Sequence, residues 1–294
     1  MLIVGVHQSI SKGFYNAVQD TVNYYNTNAL QIFLKSPQML TFCKISDEEA
    51  IKTKEFVLKN NLFIVGHCSY LLNFAKEQNF TETDDIKKKG NWAVNSLVDD
   101  LLSINKIGGY GIVLHTGKYV GQTKEEGIKT IAKNIKQAIY DLEYKLKDNK
   151  KLPYIIIENT AGQGTEIGVT IEELAEIYEL LDRNPRVKFC IDTAHAFASG
   201  YDIKTKEGFD GFIKKFNKLI GIENIGLFHF NDSKKELGSR VDRHDSIGFG
   251  LIGEDGLKII AEYAREKTIP IILETPDKEI SHIEDIKKVK NWFK

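Results

Sequence analysis

Apolar, β-rich runs recur roughly every 38 residues from one end of the chain to the other, at 2–6, 29–33, 62–66, 111–114, 154–157, 187–191, 225–228 and 270–273. Between them lie amphipathic stretches that carry helix punctuation. Ser46-Asp47-Glu48-Glu49 and Thr170-Ile171-Glu172-Glu173 have the spacing of capping boxes, in which the hydroxyl accepts from an orphan backbone N–H and the glutamate reaches back to the N-cap. Helices are expected over 47–60, 83–106, 124–147, 170–183, 206–219, 255–266 and 283–293. The first interval, 11–26, is short and polar for a covering helix. Parallel strands buried on both faces and joined by helices close into a (β/α)8 TIM barrel, whereas an open doubly wound sheet would show polar edge strands. No Pro/Gly/Ser linker, low-complexity tract or residue-level repeat interrupts the alternation, so 1–294 is expected to form a single α/β barrel domain with its active site at the C-terminal rim of the strands.

Composition acts by exclusion. No apolar run approaches the roughly 20 residues needed to cross a bilayer, and the opening MLIVGVHQSISKG lacks the basic flank and long apolar core of a signal peptide. The expectation is an intracellular monomer, cytoplasmic or associated with a nucleoid or nucleus, neither secreted nor membrane-bound. Cys43, Cys68 and Cys190 are odd in number and unrelated in spacing, which indicates neither a disulfide framework nor a thiolate zinc site. Any metal must therefore use His and carboxylates. The net charge of −1 and pI near 6.7 deny the chain the basic character of many nucleic-acid binders. Divalent ions bound in one cleft would supply the local attraction that this balance withholds.

The chain has 7 histidines. Four of them, His7, His67, His115 and His229, stand at the ends of apolar runs, and Glu158, Asp192 and Glu274 hold the same place after the fifth, sixth and eighth. In a barrel those ends converge on one mouth. Two clusters add to them: Asp192-Thr-Ala-His195 sets a second group three residues after the carboxylate, and Asp242-Arg-His244 sits in the long segment after the seventh run. A single histidine is more often a hydrogen-bonded or surface residue than a ligand, and most carboxylates are solvated. Five histidines and four carboxylates, His7 apart, aimed at one small volume, however, are electrostatically intolerable unless cations lie between them. Imidazole and carboxylate donors suit zinc, manganese or iron(II).

At these residues the chain resembles the endonuclease IV family of apurinic/apyrimidinic endonucleases. The likeness runs nearly end to end, through IENTAGQG (157–164), CIDTAHAFASGYD (190–202), HFNDSKKELGSRVDRH (229–244), GHCSYLLN (66–73), VLHTGK (113–118) and ILET (272–275). It implies three zinc ions: the first on His67, His115 and Glu158; the second on Glu158 as a bridge with Asp192, His229 and Glu274; the third on His195, Asp242 and His244. Manganese or iron(II) would serve at some of these sites. It also implies cleavage of double-stranded DNA 5′ to an abasic site, giving a 3′-hydroxyl and a 5′-deoxyribose phosphate, and trimming of blocked 3′ ends. Two metals sharing Glu158 would hold a hydroxide as nucleophile, and the third would neutralise the leaving 3′-oxygen. Glu158 and Glu274, the candidate catalytic carboxylates, are ligands first, because a bound cation drives their pKa down.

The abasic nucleotide is turned out of the duplex most cheaply because its base is already missing. The family's wedge after the third strand matches Tyr70 and Leu71, whose bland alternative is packing of a loop. The loop after the second strand, FLKSPQML (33–40), matches through Lys35, Ser36 and Pro37 but carries Gln38 where an arginine is usual and Leu40 where an aromatic is usual. Glutamine inserts without charge; Met39 and Leu40 would fill the void by apolar contact. Lys12 replaces a glycine of the pattern near the first strand. Lys35, Lys118, Lys234, Arg240 and Arg243 are candidate backbone contacts, Arg243 foremost because metal ligands flank it. His7 is expected in a supporting hydrogen bond and His282 at the surface. A one-metal sugar isomerase or epimerase of the same barrel class would need only Glu158, Asp192, His229 and Glu274 and has no use for the other five groups. A protein that binds abasic DNA without cutting it would have no use for an intact ligand set.

Overall fold

The computed structural model describes residues 1–38, 43–77, 91–147, 152–276 and 281–294. Seven strands, β1 (Val4–Gln8), β2 (Ala29–Phe33), β3 (Phe63–His67), β4 (Gly111–His115), β5 (Tyr154–Glu158), β6 (Val187–Asp192) and β7 (Ile225–His229), alternate with helices α1 (Phe14–Asn23), α2 (Asp47–Lys59), α3 (Trp92–Lys106), α4 (Lys124–Lys145), α5 (Ile171–Leu180), α6 (Thr193–Ala198) and α7 (Lys206–Leu219). The long connection after β7 folds back as an antiparallel pair, β8 (Asp232–Ser233) with β9 (His244–Asp245). Helix α8 (Gly253–Lys267), strand β10 (Ile271–Leu273) and helix α9 (His282–Asn291) complete the chain. The barrel closes in the order β1-β10-β7-β6-β5-β4-β3-β2, all parallel.

The expected (β/α)8 barrel is thus present, with strand ends shifted by one or two residues. The expected helix at 83–106 is described only from Trp92; its earlier part lies outside the described residues. The weak first interval does form a helix. Phe14, Ala17, Val18 and Thr21 of α1 are buried, but Gly13 at its N-cap offers no side chain to its free N–H groups. Glu49 of α2 supplies the cap instead, accepting from Phe14 N at 2.7 Å. The capping-box reading of Ser46 and Thr170 is therefore half right. Each hydroxyl accepts from the backbone three residues on, but Glu49 caps the neighbouring helix, and Glu173 accepts from Gly168 N and Val169 N and pairs with Lys124 at 2.8 Å. Local spacing specified the hydroxyl; packing redirected the carboxylates.

Strand alternation sorts side chains into two cores. Outward residues such as Leu30, Ile64, Ile112, Ile157, Phe189 and Phe228 meet the helices in one continuous cluster. Inward residues Ala29, Val65, Val113, Ile156, Cys190, Leu227 and Ile272 fill the barrel, closed below by Ile3, Phe63, Tyr110 and Tyr154. Gly5 completes this neck: a Cβ there would lie 1.8 Å from Ala29 O. One step further along the same alternation, the inward positions become His7, Gln31, His67, His115, Glu158, Asp192, His229 and Glu274.

Candidate metal centre

Five of the ligand candidates are the last residues of their strands: His67, His115, Glu158, Asp192 and His229. Register brings them level, with His115 opposite Glu158 and Asp192 opposite His229. The remaining side chains reach the mouth by local devices. Asp192 ends β6 and caps α6, its Oδ1 accepting from His195 N at 2.8 Å, so the short helix swings His195 back over the site. The β8–β9 pair returns His244 and, two residues earlier, Asp242 to the rim. Asp232 anchors that return, accepting from the backbone of Ser233, Gly248, Gly250, Ile252 and Gly253. Burial raises the Asp232 pKa against these N–H donors.

Three groups of donor atoms result, each with its members within 4.8 Å of one another: His67, His115 and Glu158; Glu158, Asp192, His229 and Glu274; and Asp192, His195 and His244. The first two match the ligand sets implied by resemblance. The third brings in Asp192 beside the two histidines, and Asp242 stands 3.2 Å from both His195 Nε2 and His244 Nε2. Glu158 faces both ways. Its Oε2 lies 3.1 Å from His115 Nε2 and 3.3 Å from His67 Nε2, and its Oε1 lies 3.1 Å from His229 Nδ1 and 3.2 Å from His195 Nδ1. His67 Nδ1 meets the carbonyl oxygen of Cys68 at 2.7 Å, so the bare lone pair is on Nε2, facing Glu158. Asn159 and Asn231 brace the carboxylates: Asp192 N donates to Asn159 Oδ1, Asn231 Nδ2 donates to Asp192 Oδ2, and Glu274 N donates to Asn231 Oδ1.

The electrostatics fit cations. Burial would push Glu158 up, but the charges of His115 and His229 hold it well below the usual carboxylate range. Burial likewise opposes charge on His195 and His229, yet both stay well above the ordinary imidazole value, His195 through Asp192 and Asp242, His229 through Cys190, Glu274 and Glu158. Asp192 and Asp242 overcome the same opposition at His244, pushing it up to about 9. Protons on imidazoles thus balance the carboxylates, and metal binding releases such protons. His244 Nε2 is buried and makes no aligned hydrogen bond even with Asp242 close by, as suits a nitrogen whose lone pair serves a metal. The donor set fits ions of the zinc, manganese and iron(II) class.

A family model described as a xylose isomerase-like TIM barrel matches residues 22–294. A putative endonuclease 4 of Acanthamoeba polyphaga mimivirus is 37% identical over 303 residues, covering 99% of this chain and 93% of its own length. A probable endonuclease 4 of Thermotoga maritima is 36% identical, covering 98% and 96%. The chain belongs to the endonuclease IV family. The crystal structure of endonuclease IV from Thermus thermophilus has a TM-score of 0.81 to this fold at 30% identity, with 98% of each chain covered. A D-tagatose 3-epimerase-like protein, at 18% identity and a TM-score of 0.67, shares the barrel fold.

The positions that the endonuclease IV likeness assigns to DNA divide into three kinds. Tyr70 and Leu71 stand at the mouth, 61% and 45% exposed, beside a cleft of about 430 Å3 that His67, His115, Thr160, Lys118 and Asp242 also line. The Tyr70 ring lies 5.6 Å from that of His67 and 6.0 Å from that of His115. Gln38, Arg240 and Arg243 are exposed, while Lys118 and Lys234 pair with Glu166 and Asp245. Lys35 is corrected. It is buried, its ammonium 2.8 Å from Asp100 Oδ1 and donating to Ser96 O, because an ammonium withdrawn from water needs a counter-charge and α3 supplies one. Its work is to fasten the loop after β2 to α3, and Ser69 ties that loop to the next by donating to Pro37 O at 2.6 Å. Met39 and Leu40 lie outside the described residues. His282, expected at the surface, is buried and donates from Nε2 to Thr275 O at 2.8 Å. His7 has the supporting role expected, against Glu274 Oε1 at 3.2 Å. Sequence reasoning missed Gln31, Asn159, Asn231 and Asp232; the regular alternation along β2 would have placed Gln31 at the mouth.

The larger cavity of about 510 Å3 lies at the opposite end of the barrel, against Ile3, Phe63, Tyr110 and Ile225, and contains none of the candidate ligands. Glu223 and Lys267 also line it, but none of the three donor groups borders it.

Proposed function

We propose that this chain hydrolyses the DNA phosphodiester 5′ to an abasic site, leaving a 3′-hydroxyl and a 5′-deoxyribose phosphate, and trims blocked 3′ ends. The proposed centre holds three zinc ions on His67, His115, Glu158, Asp192, His195, His229, Asp242, His244 and Glu274, with manganese or iron(II) acceptable at some positions. We read the protein as one domain acting as a monomer inside the cell, where DNA is. Among the described residues, no helix is long and apolar enough to cross a membrane.

The observation that carries this reading is Glu158, fully buried, with each carboxylate oxygen facing a different set of imidazoles, two of which, His67 and His115, lie beside the ring of exposed Tyr70. Bound there, divalent cations supply positive charge to the phosphate oxygens and bring the pKa of water from about 15.7 toward about 7. The chain's own residues do the rest. Glu158 and Glu274 set the spacing of the ligand groups, and any proton traffic through Glu274 is secondary to that. Tyr70 and Leu71 enter the gap left by the missing base and keep the turned-out sugar in the cleft. Arg240, Arg243 and Gln38 line the rim where the flanking backbone passes; the first two answer its charge.

A 5′-labelled duplex with one abasic site tests the proposal. The purified protein, its metals counted by elemental analysis, is expected to nick that strand 5′ to the lesion, to leave an intact duplex uncut, and to lose activity to a chelator. Metal-replete protein that leaves the abasic strand whole would overturn it.

A further inference from the structure

Gln31 lies on β2 between Ala29 and Phe33, fully buried, where its amide meets three ionisable side chains. Its Nε2 is 2.6 Å from Glu274 Oε1 and 2.9 Å from His7 Nδ1, and its Oε1 is 2.8 Å from His229 Nε2. An amide has two N–H donors on one side and only acceptors on the other, so one orientation of the amide satisfies both Glu274 and His229. The nitrogen donates to Glu274 and the oxygen accepts from His229 Nε2–H; His7 Nδ1 lies within reach of both Gln31 Nε2 and Glu274 Oε1 and engages one or the other according to its tautomer. The reversed amide would press its oxygen against the Glu274 carboxylate, acceptor against acceptor. With Nε2 engaged, His229 presents Nδ1, which lies 3.1 Å from Glu158 Oε1 and 3.2 Å from Glu274 Oε2, toward the group that Glu158, Asp192, His229 and Glu274 form.

We propose that Gln31 is a positioning residue of the metal centre, whose amide turns His229 so that Nδ1 faces the ion of the second group while holding Glu274 in place. The inference rests on the metal reading above and adds to it the residue that orients two of its ligands. The chemistry singles out an amide. A carboxylate at this position accepts from His229 but cannot donate to Glu274, and it brings a further negative charge beside Glu158 and Glu274. An aliphatic side chain leaves Glu274 Oε1 one donor short and frees His229 to change tautomer. Partners of this kind behind metal ligands typically change metal affinity by about 10- to 100-fold.

The test compares the zinc-loaded wild type with Gln31→Leu and Gln31→Glu. Zinc per chain is measured by native mass spectrometry across a graded chelator series, and the histidine ring nitrogens are read by 15N NMR in the loaded proteins. In the wild type His229 is expected as the Nε2-protonated, Nδ1-ligating form. Gln31→Leu is expected to release one zinc at about 10- to 100-fold lower chelator strength, with the His229 ring signals displaced and those of His67 and His115 unmoved. Gln31→Glu is expected to keep the His229 tautomer yet hold that zinc more weakly. Superimposable chelation curves and unchanged His229 signals in Gln31→Leu would overturn the inference while leaving the metal centre standing. A wild type that takes up no zinc would bring down the metal reading and this inference with it. Should Gln31→Leu fail to fold by circular dichroism, Gln31→Asn, one methylene shorter, decides by the same two measurements.

Discussion

The two ends of the barrel are built by the same strands in the same register, yet they oppose each other chemically. At the lower end the inward side chains are Ile3, Phe63, Tyr110 and Tyr154, and in the layer above them Val65, Val113, Ile156, Leu227 and Ile272, sealed from water. Two residues further on, about 7 Å along each strand, the inward positions are His67, His115, Glu158, His229 and Glu274. The lower layer lowers the free energy of folding through apolar burial. The upper layer contributes no such burial, because its carboxylates and imidazoles give up hydration and are compensated by one another and by the amides of Gln31 and Asn231. A barrel tolerates such a mouth because the lower layers and the helical shell hold the strands in register regardless. Damage at the two ends should therefore separate into lost chemistry and lost stability.

The sharpest test of that separation is Glu158→Gln. It removes the carboxylate shared by two ligand groups but keeps the volume, so nicking of an abasic duplex should fall by several orders of magnitude while the metal-free protein still folds cooperatively. A large fall in melting temperature would place stability at the mouth and break the comparison. At the other end, Leu227→Ala should cost about 2–5 kcal/mol of unfolding free energy in a denaturant titration and leave the number of bound metals unchanged. Loss of metal in that variant would show that the two layers are coupled.

Between the ends stands the Lys35–Asp100 pair, buried yet serving a loop of the mouth. Burial pushes the Asp100 carboxyl up to about 6 against the opposing pull of Lys35. The folded state thus holds this proton more tightly than the unfolded chain. The resulting stability is present below about pH 4 and is lost as pH rises through about 6. Asp100→Asn should remove this slope, worth roughly 1–3 kcal/mol, from unfolding curves taken between about pH 4 and 7. A slope that persists would assign it to other groups. The smallest effect is expected at the outermost layer. Tyr70→Ala should weaken binding to abasic duplex by roughly 1–3 kcal/mol with metal content and melting temperature intact; metal loss would instead make Tyr70 part of the centre.

The barrel was legible because its signal is additive over the chain: a strand-sized apolar run followed by a helix-sized amphipathic one, repeated until the sheet closes. Six of the nine candidate ligands, His67, His115, Glu158, Asp192, His229 and Glu274, were legible because each is the polar residue that ends such a run; His195, Asp242 and His244 stood out only as clusters in the following segments. Gln31 was not. It sits in the middle of ALQIF, where one glutamine reads as an interruption rather than as the amide that holds His229 and Glu274. Lys35 was misread for a related reason. A lysine in a rim loop has the same letter whether its ammonium meets solvent or Asp100, and only the approach of α3 decided which.

What the sequence determined alone is therefore periodic or terminal: the order of strands and helices, the closed barrel, and the identity of the groups at its mouth. Those follow from backbone geometry, which repeats every two residues in a strand and about every 3.6 in a helix. Tertiary structure decided the pairings: that Glu49 caps α1 rather than its own helix, that Asp192 stands between the second and third ligand groups, and that an ammonium is buried on Asp100. Such choices depend on distances between elements far apart in the chain. Whether a charged atom lies beside its counter-charge or a helix diameter away from it is settled only when the elements pack.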